Sequence, residues 1–364
     1  MIKKIFVLSF VIFSFVNFCF ALDISAKSAV LYEPETETVL YAKDSETKRE
    51  IASTTKIMTA VVVLENSDVS EMIAVPKVCV GTEGTSMYLK EGEKLSVSDL
   101  LYGLMLQSGN DAAIALAYHT GNGSIERFVD MMNATAKRIG MKNTYFKNPN
   151  GLPAEGHVST AEDMARLAAY AMKNPGFAKI VSTKSIVVAG RSLTNHNKLL
   201  RIYEGACGIK TGYTRAAGRC LVSGAEKEGM RLIAVSLSAP DDWNDHIKML
   251  NFGFDNFSVI KTSQYGDLPA EVDVVGGTQA SIQIVSKEEK AFLCKKADTD
   301  EICREVFLPR FVYAPITRGN VIGEVRYTLN GELLERIELV ADTSVEYFEE
   351  PTMLERILNF FRRK

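Results

Sequence analysis

Residues 45–56 read SETKREIASTTK and hold the spacing Ser-x-x-Lys twice, at Ser45/Lys48 and at Ser53/Lys56. Residues three apart share one face of a helical turn, so in either pair the amine can reach the hydroxyl. A neutral lysine can take the hydroxyl proton and turn the serine into a nucleophile. A solvated lysine, with a pKa of about 10, stays charged and cannot. The two contexts differ in this respect. Ser45 sits among Lys43, Asp44, Glu46, Lys48, Arg49 and Glu50, with nothing apolar to bury Lys48. Lys56 opens the apolar run KIMTAVVVL, where burial and a neighbouring cation favour the neutral amine. Both residue types are common, so the spacing alone carries little weight. The local chemistry ranks Ser53 first.

Two distant motifs bear on the choice. Ser108-Gly109-Asn110 lies in a polar break between two helical patterns, and Lys210-Thr211-Gly212 lies in GIKTGYT, which reads as a strand. Each is weak alone. Taken in order, Ser-x-x-Lys, Ser-x-Asn and Lys-Thr-Gly resemble the active-site set of penicillin-binding proteins and serine β-lactamases, although Gly109 replaces the aspartate of the Ser-Asp-Asn form. The stretches EGTSMYLKEGEKLSVSDLLYGLMLQSGNDAAIALA and GIKTGYTRAAGRCLVSG resemble the low-molecular-mass penicillin-binding proteins, the D-alanyl-D-alanine carboxypeptidases of the S11 peptidase type. The likeness runs over essentially the whole chain.

That resemblance implies an acyl transfer. Ser53 would attack the carbonyl between two D-alanines of a peptidoglycan pentapeptide, with Lys56 as base and Ser108 and Lys210 relaying the proton to the leaving amine. Asn110 would hold the substrate amide and orient Lys56. Lys210, Thr211, Gly212 and Tyr213 would form the substrate-binding strand. Lys210 and Thr211 would hold the terminal carboxylate, and the N–H groups of Ser53 and Tyr213 the oxyanion. β-Lactams would be covalent inhibitors, and no cofactor is implied. Asn150, Gly151 and Arg215 are further candidates for the cleft, whereas Trp243 and His246 are expected in core or surface roles.

The elements that must position these residues are legible in outline. Lys3 and Lys4, the apolar run IFVLSFVIFSFV and the small residues Cys19 and Ala21 predict an export signal over 1–21. Two apolar-aromatic runs, Val30–Tyr32 and Val39–Tyr41, predict a hairpin. Helices are expected from Ser53, across 98–120 on both sides of the break, over Glu126–Ile139 and over Ala161–Met172. GIKTGYT, RCLVSGAE and RLIAVSLSA predict three strands, and DWNDHIKMLNFGFDNF a closing helix. The fold expected for 22–258 is an α/β, transpeptidase/β-lactamase-like domain, an antiparallel sheet with helices and a helical subdomain. Short alternating runs and the Asn330-Gly331 turn signal predict a small all-β domain over 259–348. Residues 349–364 are expected to form an amphipathic helix, its basic remainder Arg356, Arg362, Arg363 and Lys364 suited to an anionic membrane surface.

Bulk properties exclude some classes. The 364 residues are 46% apolar and 24% charged with a net charge of -3, an ordinary globular composition, long enough for one large domain plus a smaller one and without a basic excess that points to nucleic acid. The four histidines show no metal-ligand spacing. Beyond residue 21 the five cysteines are odd in number, so no full disulfide framework is specified, and Cys294 and Cys303 could pair across a local turn. Three rivals bear on the reading, and the hardest, a DD-endopeptidase acting on cross-bridges, uses the same site on a larger substrate. A class A β-lactamase would need Glu155 or Glu162 for deacylation, and a non-catalytic wall-binding protein would show decay in at least one motif.

Overall fold

The first hairpin follows its alternation. β1 (Ser28–Glu33) pairs antiparallel with β2 (Thr38–Lys43) in the computed structural model, which describes residues 22–262 and 271–349. The Glu33 carboxylate accepts the N–H groups of Glu35 and Thr36 at 3.0 and 2.7 Å and closes the turn. A 3-10 turn, Ala52–Thr55, then leads into α1 (Lys56–Asn66), buried from Lys56 to Val63. A helix apolar on every side belongs at the centre of a core. Around it come β3 (Met72–Ala74), β4 (Lys94–Ser96), α2 (Val97–Leu106), α3 (Asn110–Thr120), α4 (Ile125–Arg138) and α5 (Ala161–Met172). Start signals set several of these helices. Ser96 and Asp99 form a capping box on α2, and Ser124 and Thr160 cap α4 and α5.

The chain continues through α6 (Pro175–Ser182), β5 (Ser185–Val188), β6 (Arg191–Thr194) and α7 (Leu199–Ile202) to β7 (Ala206–Thr214), β8 (Gly218–Lys227), β9 (Met230–Leu237) and α8 (Asp242–Asn256). One five-stranded antiparallel sheet has the order β2-β1-β9-β8-β7, so N- and C-terminal pieces meet at β1 and β9, and β7 is an edge strand. One face of the sheet packs on α1, α2 and α5, and the other on α8. The expected α/β body is present. Its strands β3 to β6 are not visible in the sequence pattern, because three or four residues show no period, and the eight residues of α6 span little more than two turns.

After β10 (Phe257–Lys261) come β11 (Glu271–Val275), β12 (Ser281–Ser286), β13 (Ala291–Lys295), β14 (Ile302–Phe307), β15 (Phe311–Tyr313), β16 (Val321–Leu329) and β17 (Glu332–Ala341). Six of them form a sheet in the order β14-β16-β17-β12-β11-β15 over a separate core. Asn330 and Gly331, with φ of 50° and 82°, turn β16 into β17 as their types require. β10 crosses the expected boundary at 258/259 and pairs with β13. The expected Cys294–Cys303 pair is corrected. Both thiols are free; Cys294 faces the β core, a 3-10 turn over Lys296–Glu301 intervenes, and Cys303 is exposed. The expected export signal and, apart from Glu349, the C-terminal helix lie outside the described residues. No helix among those described is long and apolar enough to cross a membrane.

Asp245, buried in the first turn of α8, accepts hydrogen bonds from Ser25 N, Ser25 Oγ and Ala26 N at 2.8, 2.8 and 2.9 Å. It ties the segment before β1 to the helix that backs the sheet. Asp245→Ala is expected to cost about 1–3 kcal/mol, since it leaves the buried Ala26 N–H without its acceptor. Urea unfolding reads this directly, and an unchanged midpoint would show that the tie carries no stability.

Candidate active site

Ser53 stands on a constrained turn. The preceding Ala52 has φ 47°, a left-handed conformation that costs a non-glycine residue about 1–3 kcal/mol. Neighbours hold it there. A Cβ on Gly151 would lie 2.0 Å from the Ala52 carbonyl oxygen, so the loop at 148–152 reaches the turn only with glycine. From below, the Thr55 hydroxyl donates to Ala52 O at 2.8 Å and contacts His157 Nε2 at 2.8 Å. His157 Nδ1 accepts from the Lys147 N–H at 3.1 Å, which places the imidazole hydrogen on Nε2. Burial pushes the pKa of His157 down to about 4, so the brace is neutral.

Lys56 is one helical turn away and fully buried. Its Nζ lies 3.0 Å from Ser53 Oγ, 2.7 Å from Asn110 Oδ1 and 2.5 Å from Asn150 O. Burial first, and then the nearby Lys210 charge, hold its pKa well below 10.5, while Asp111 opposes them. A neutral amine has two hydrogens and one lone pair. The two carbonyl-type oxygens can only accept, so they take the hydrogens and the lone pair faces the Ser53 hydroxyl. The Asn110 amide is fixed from its other end, where Nδ2 donates to Glu83 O at 2.6 Å.

Ser108 occupies the break between α2 and α3 in a left-handed conformation, φ 62°, with its carbonyl held by the Thr85 hydroxyl at 2.7 Å. Gly109 next to it has a steric reason to lack the aspartate of the Ser-Asp-Asn form. A Cβ there would lie 3.0 Å from Asp111 Oδ1 and 3.1 Å from Met87 Cγ. Asp111 is a buried carboxylate that accepts from Ser86 Oγ, Met87 N, Leu89 N and Ala112 N at 2.6 to 3.1 Å. It fastens the 86–89 segment to the start of α3, and a second carboxylate beside it would be repelled.

β7 supplies the opposite wall. A Cβ on Gly212 would come 3.0 Å from Ser53 N, so this close approach of two backbones requires a small residue. Lys210 is 1% exposed, donates from Nζ to Thr211 O at 2.9 Å, and has its pKa lowered by burial to about 7. Tyr213 is 68% exposed. The cleft, about 580 Å³, is lined by Ser53, Ser108, Thr211, Gly212 and Tyr213, with Thr85 beside Ser108. Its outer wall includes His196, Lys198, Arg201, Arg219, Asp242 and Trp243.

The seven site residues read from the three motifs, and Tyr213 next to the last of them, thus surround one turn and one cleft, with Lys56, Asn110 and Lys210 behind its surface. Asn150 contributes its carbonyl to Lys56 and Gly151 its close approach to Ala52. Arg215 is exposed and is not a lining residue, Trp243 lines the cleft contrary to expectation, and His246 is core, between Ser223 and Ser236. The decoy behaves as its charges imply. Ser45 lies in a loop with Lys48 exposed. Sequence reasoning missed Asp111 and His157, whose roles rest on contacts with residues 22 to 25 and 102 positions away.

Comparison with known proteins gives concordant matches. The D-alanyl-D-alanine carboxypeptidase family matches residues 17–241, and the C-terminal domain of penicillin-binding protein 5 matches 257–347. The D-alanyl-D-alanine carboxypeptidase DacF of Bacillus subtilis is 35% identical over 347 residues, covering 92% of this chain and 89% of its own. Penicillin-binding protein 5 of Haemophilus influenzae superposes with a TM-score of 0.74 at 30% identity, covering 89% of this chain and 98% of that one. The Streptomyces K15 DD-transpeptidase superposes with a TM-score of 0.61 at 36% identity, over 64% of this chain and 98% of that one.

The depressed lysines carry a stability signature. Between pH about 7 and 10.5 the unfolded chain holds a proton on Lys210 that the folded chain releases. Stability therefore rises with pH across that window, by up to about 1.4 kcal/mol per unit for each such group. Lys210→Met is expected to flatten the rise in urea-derived stability between pH 7 and 9. An unchanged slope would place the proton on Lys210 in the folded state.

Proposed function

Because this chain belongs to the D-alanyl-D-alanine carboxypeptidase family, we propose that Ser53, Lys56, Ser108 and Asn110 are its catalytic residues and that the 210–213 strand binds its substrate. The enzyme is a serine-type hydrolase that removes the terminal D-alanine from peptidoglycan stem peptides. The observation that carries the assignment is the Lys56 amine held between Ser53 Oγ, Asn110 Oδ1 and Asn150 O.

Ser53 Oγ attacks the carbonyl between the two D-alanines as its proton passes to Lys56. The oxyanion that forms is met by the N–H groups of Ser53 and Tyr213, where one donor typically lowers the barrier by about 3 kcal/mol. The C–N bond then breaks, the leaving amine takes a proton through Ser108 and Lys210, and an ester on Ser53 remains. Water hydrolyses that ester and restores the hydroxyl. A β-lactam follows the same path, but its leaving amine stays tethered and the ester persists. A glutamate suited to rapid deacylation has no support: Glu155 is exposed, Glu162 pairs with Arg166 at 3.5 Å, and neither lines the cleft.

Residues 22–258 form the catalytic unit in this reading, and 259–348 a spacer. In the same reading the segment 1–21 directs export, and the apolar and basic sequence of 349–364 holds the enzyme at the extracytoplasmic face of the cell membrane. Deleting 351–364 is expected to move the protein from the membrane pellet to the soluble fraction, and continued sedimentation would refute the anchor.

The central test is an intact-mass time course with a penicillin. Wild type and Ser45→Ala are expected to gain one drug mass that decays over minutes to hours, while Ser53→Ala gains none. Labelling of Ser53→Ala, or rapid drug turnover without an adduct, would overturn the assignment.

A further inference from the structure

Tyr88 is strained and exposed at once. Its φ of 57° is left-handed, a conformation that bulky residues rarely adopt, yet its side chain is 82% exposed. The residues on either side are its opposites. Met87 and Leu89 are buried, and both give their N–H groups to the Asp111 carboxylate, at 2.9 and 3.1 Å. The Tyr88 N–H donates to Ser86 Oγ at 2.9 Å, and its carbonyl accepts from Arg191 Nη2 at 3.3 Å. Arg191 also donates from Nε to Met87 O at 2.9 Å, and its guanidinium is paired with both Glu93 carboxylate oxygens at 2.7 and 2.8 Å. The backbone of Met87 and Tyr88 is thus held at every polar group, while the phenol is turned outward. Strain kept in such a bracket around an exposed ring serves something other than stability.

The bracket stands against the cleft. Asn110 donates from N to Thr85 O at 2.7 Å and from Nδ2 to Glu83 O at 2.6 Å. Thr85 lines the cleft and holds Ser108 O. A Cβ on Gly84 would come 2.7 Å from Asn110 Nδ2, so the segment lies directly on the asparagine. In the proposed function Asn110 meets the amide on the acyl side of the scissile bond, and the leaving amine lies towards Ser108 and Lys210. The rest of the substrate then leaves past residues 83–85, towards Tyr88. A stem peptide is joined by its amino end to an amino sugar of the glycan strand. Four extended residues put that sugar about 13 Å from the reacting carbonyl, and Tyr88 is three residues, at most about 11 Å, from Thr85. The ring and the sugar fall within the same reach.

We propose that Tyr88 is a saccharide platform. Its ring stacks on the sugar of a glycan-linked stem peptide, its hydroxyl bonds the sugar's polar edge, and the enzyme prefers peptides still attached to glycan over free ones. An apolar face with a polar tip suits that ligand. This rests on the reading of the cleft as a D-alanyl-D-alanine site and deepens it, by naming the part of the substrate beyond the peptide.

The test compares a free N-acetylated pentapeptide ending in D-Ala-D-Ala with the same pentapeptide joined to its amino-sugar disaccharide. Release of D-alanine is followed for wild type, Tyr88→Ser, Tyr88→Phe and Tyr88→Gly. Wild type is expected to favour the disaccharide substrate in kcat/KM by about three- to tenfold, as one ring contact supplies. Tyr88→Ser and Tyr88→Gly should lose that preference through KM, with kcat retained and less than about a twofold change on the free peptide. Tyr88→Phe, which keeps the ring, should keep most of it. Equal kcat/KM of wild type on both substrates, or equal losses on both in Tyr88→Ser, would overturn the proposal. Labelling of Ser53 by a penicillin shows whether each variant still folds around a working nucleophile. Glycine adopts a left-handed φ without strain, so Tyr88→Gly should melt no earlier than wild type. An earlier melt would assign the ring to the fold and overturn the platform. A wild type that cleaves neither substrate would sink the underlying reading itself, an outcome visible before any variant is made.

Discussion

An amine kept away from water loses its hold on a proton, and most of this body serves to keep water from Lys56. The residue begins a helix buried from its first residue to Val63, with α2 to α6 and the β7 side of the sheet packed about it. Burial alone would leave N–H donors without partners, so two oxygens converge on the amine from outside its own helix. One comes from the start of α3 and one from the loop at 148–152. That loop is itself fastened to α1 by the Thr59 hydroxyl on Pro149 O at 2.6 Å. Loosening any of these would readmit solvent, and a hydrated lysine is charged and has no lone pair to accept a proton.

The electrostatics around this amine are a balance. Lys210 presses its proton off, and Asp111 pulls it back. Asp111 also organises the 86–89 segment through its hydrogen bonds, so one carboxylate both tunes the Lys56 amine and shapes the loop beside Ser108. The same residue explains why glycine stands at 109. Chemistry and architecture are here carried by the same atoms.

What could be read from the sequence had either period or punctuation. The apolar α1, the capped α4 and α5 and the Asn330-Gly331 turn announce themselves locally, and the three short motifs name residues that must converge. What could not be read depends on partners far along the chain. Cys294 and Cys303 are close in sequence, yet one faces a core and the other solvent, because strands β13 and β14 pair with β10 and β16 and not with each other. Trp243 sits in an amphipathic pattern that suits a surface as well as a cleft, and only the packing of α8 against the sheet turns it inward. His157 and Asp111 are ordinary polar residues until the fold brings Thr55 and Met87 to them.

The position of β7 at the border of its sheet has a consequence for solubility. An unpaired border strand is a template for any extended chain, and proteins usually blunt such templates with charge, proline or a covering helix. Under the proposed function the border stays open, so that an extended peptide can lie beside Thr211 and Tyr213. The 52–55 turn and α6, both packed on β7, stand beside it. The turn and α6 thus shield part of a border that would otherwise offer its backbone to any extended chain.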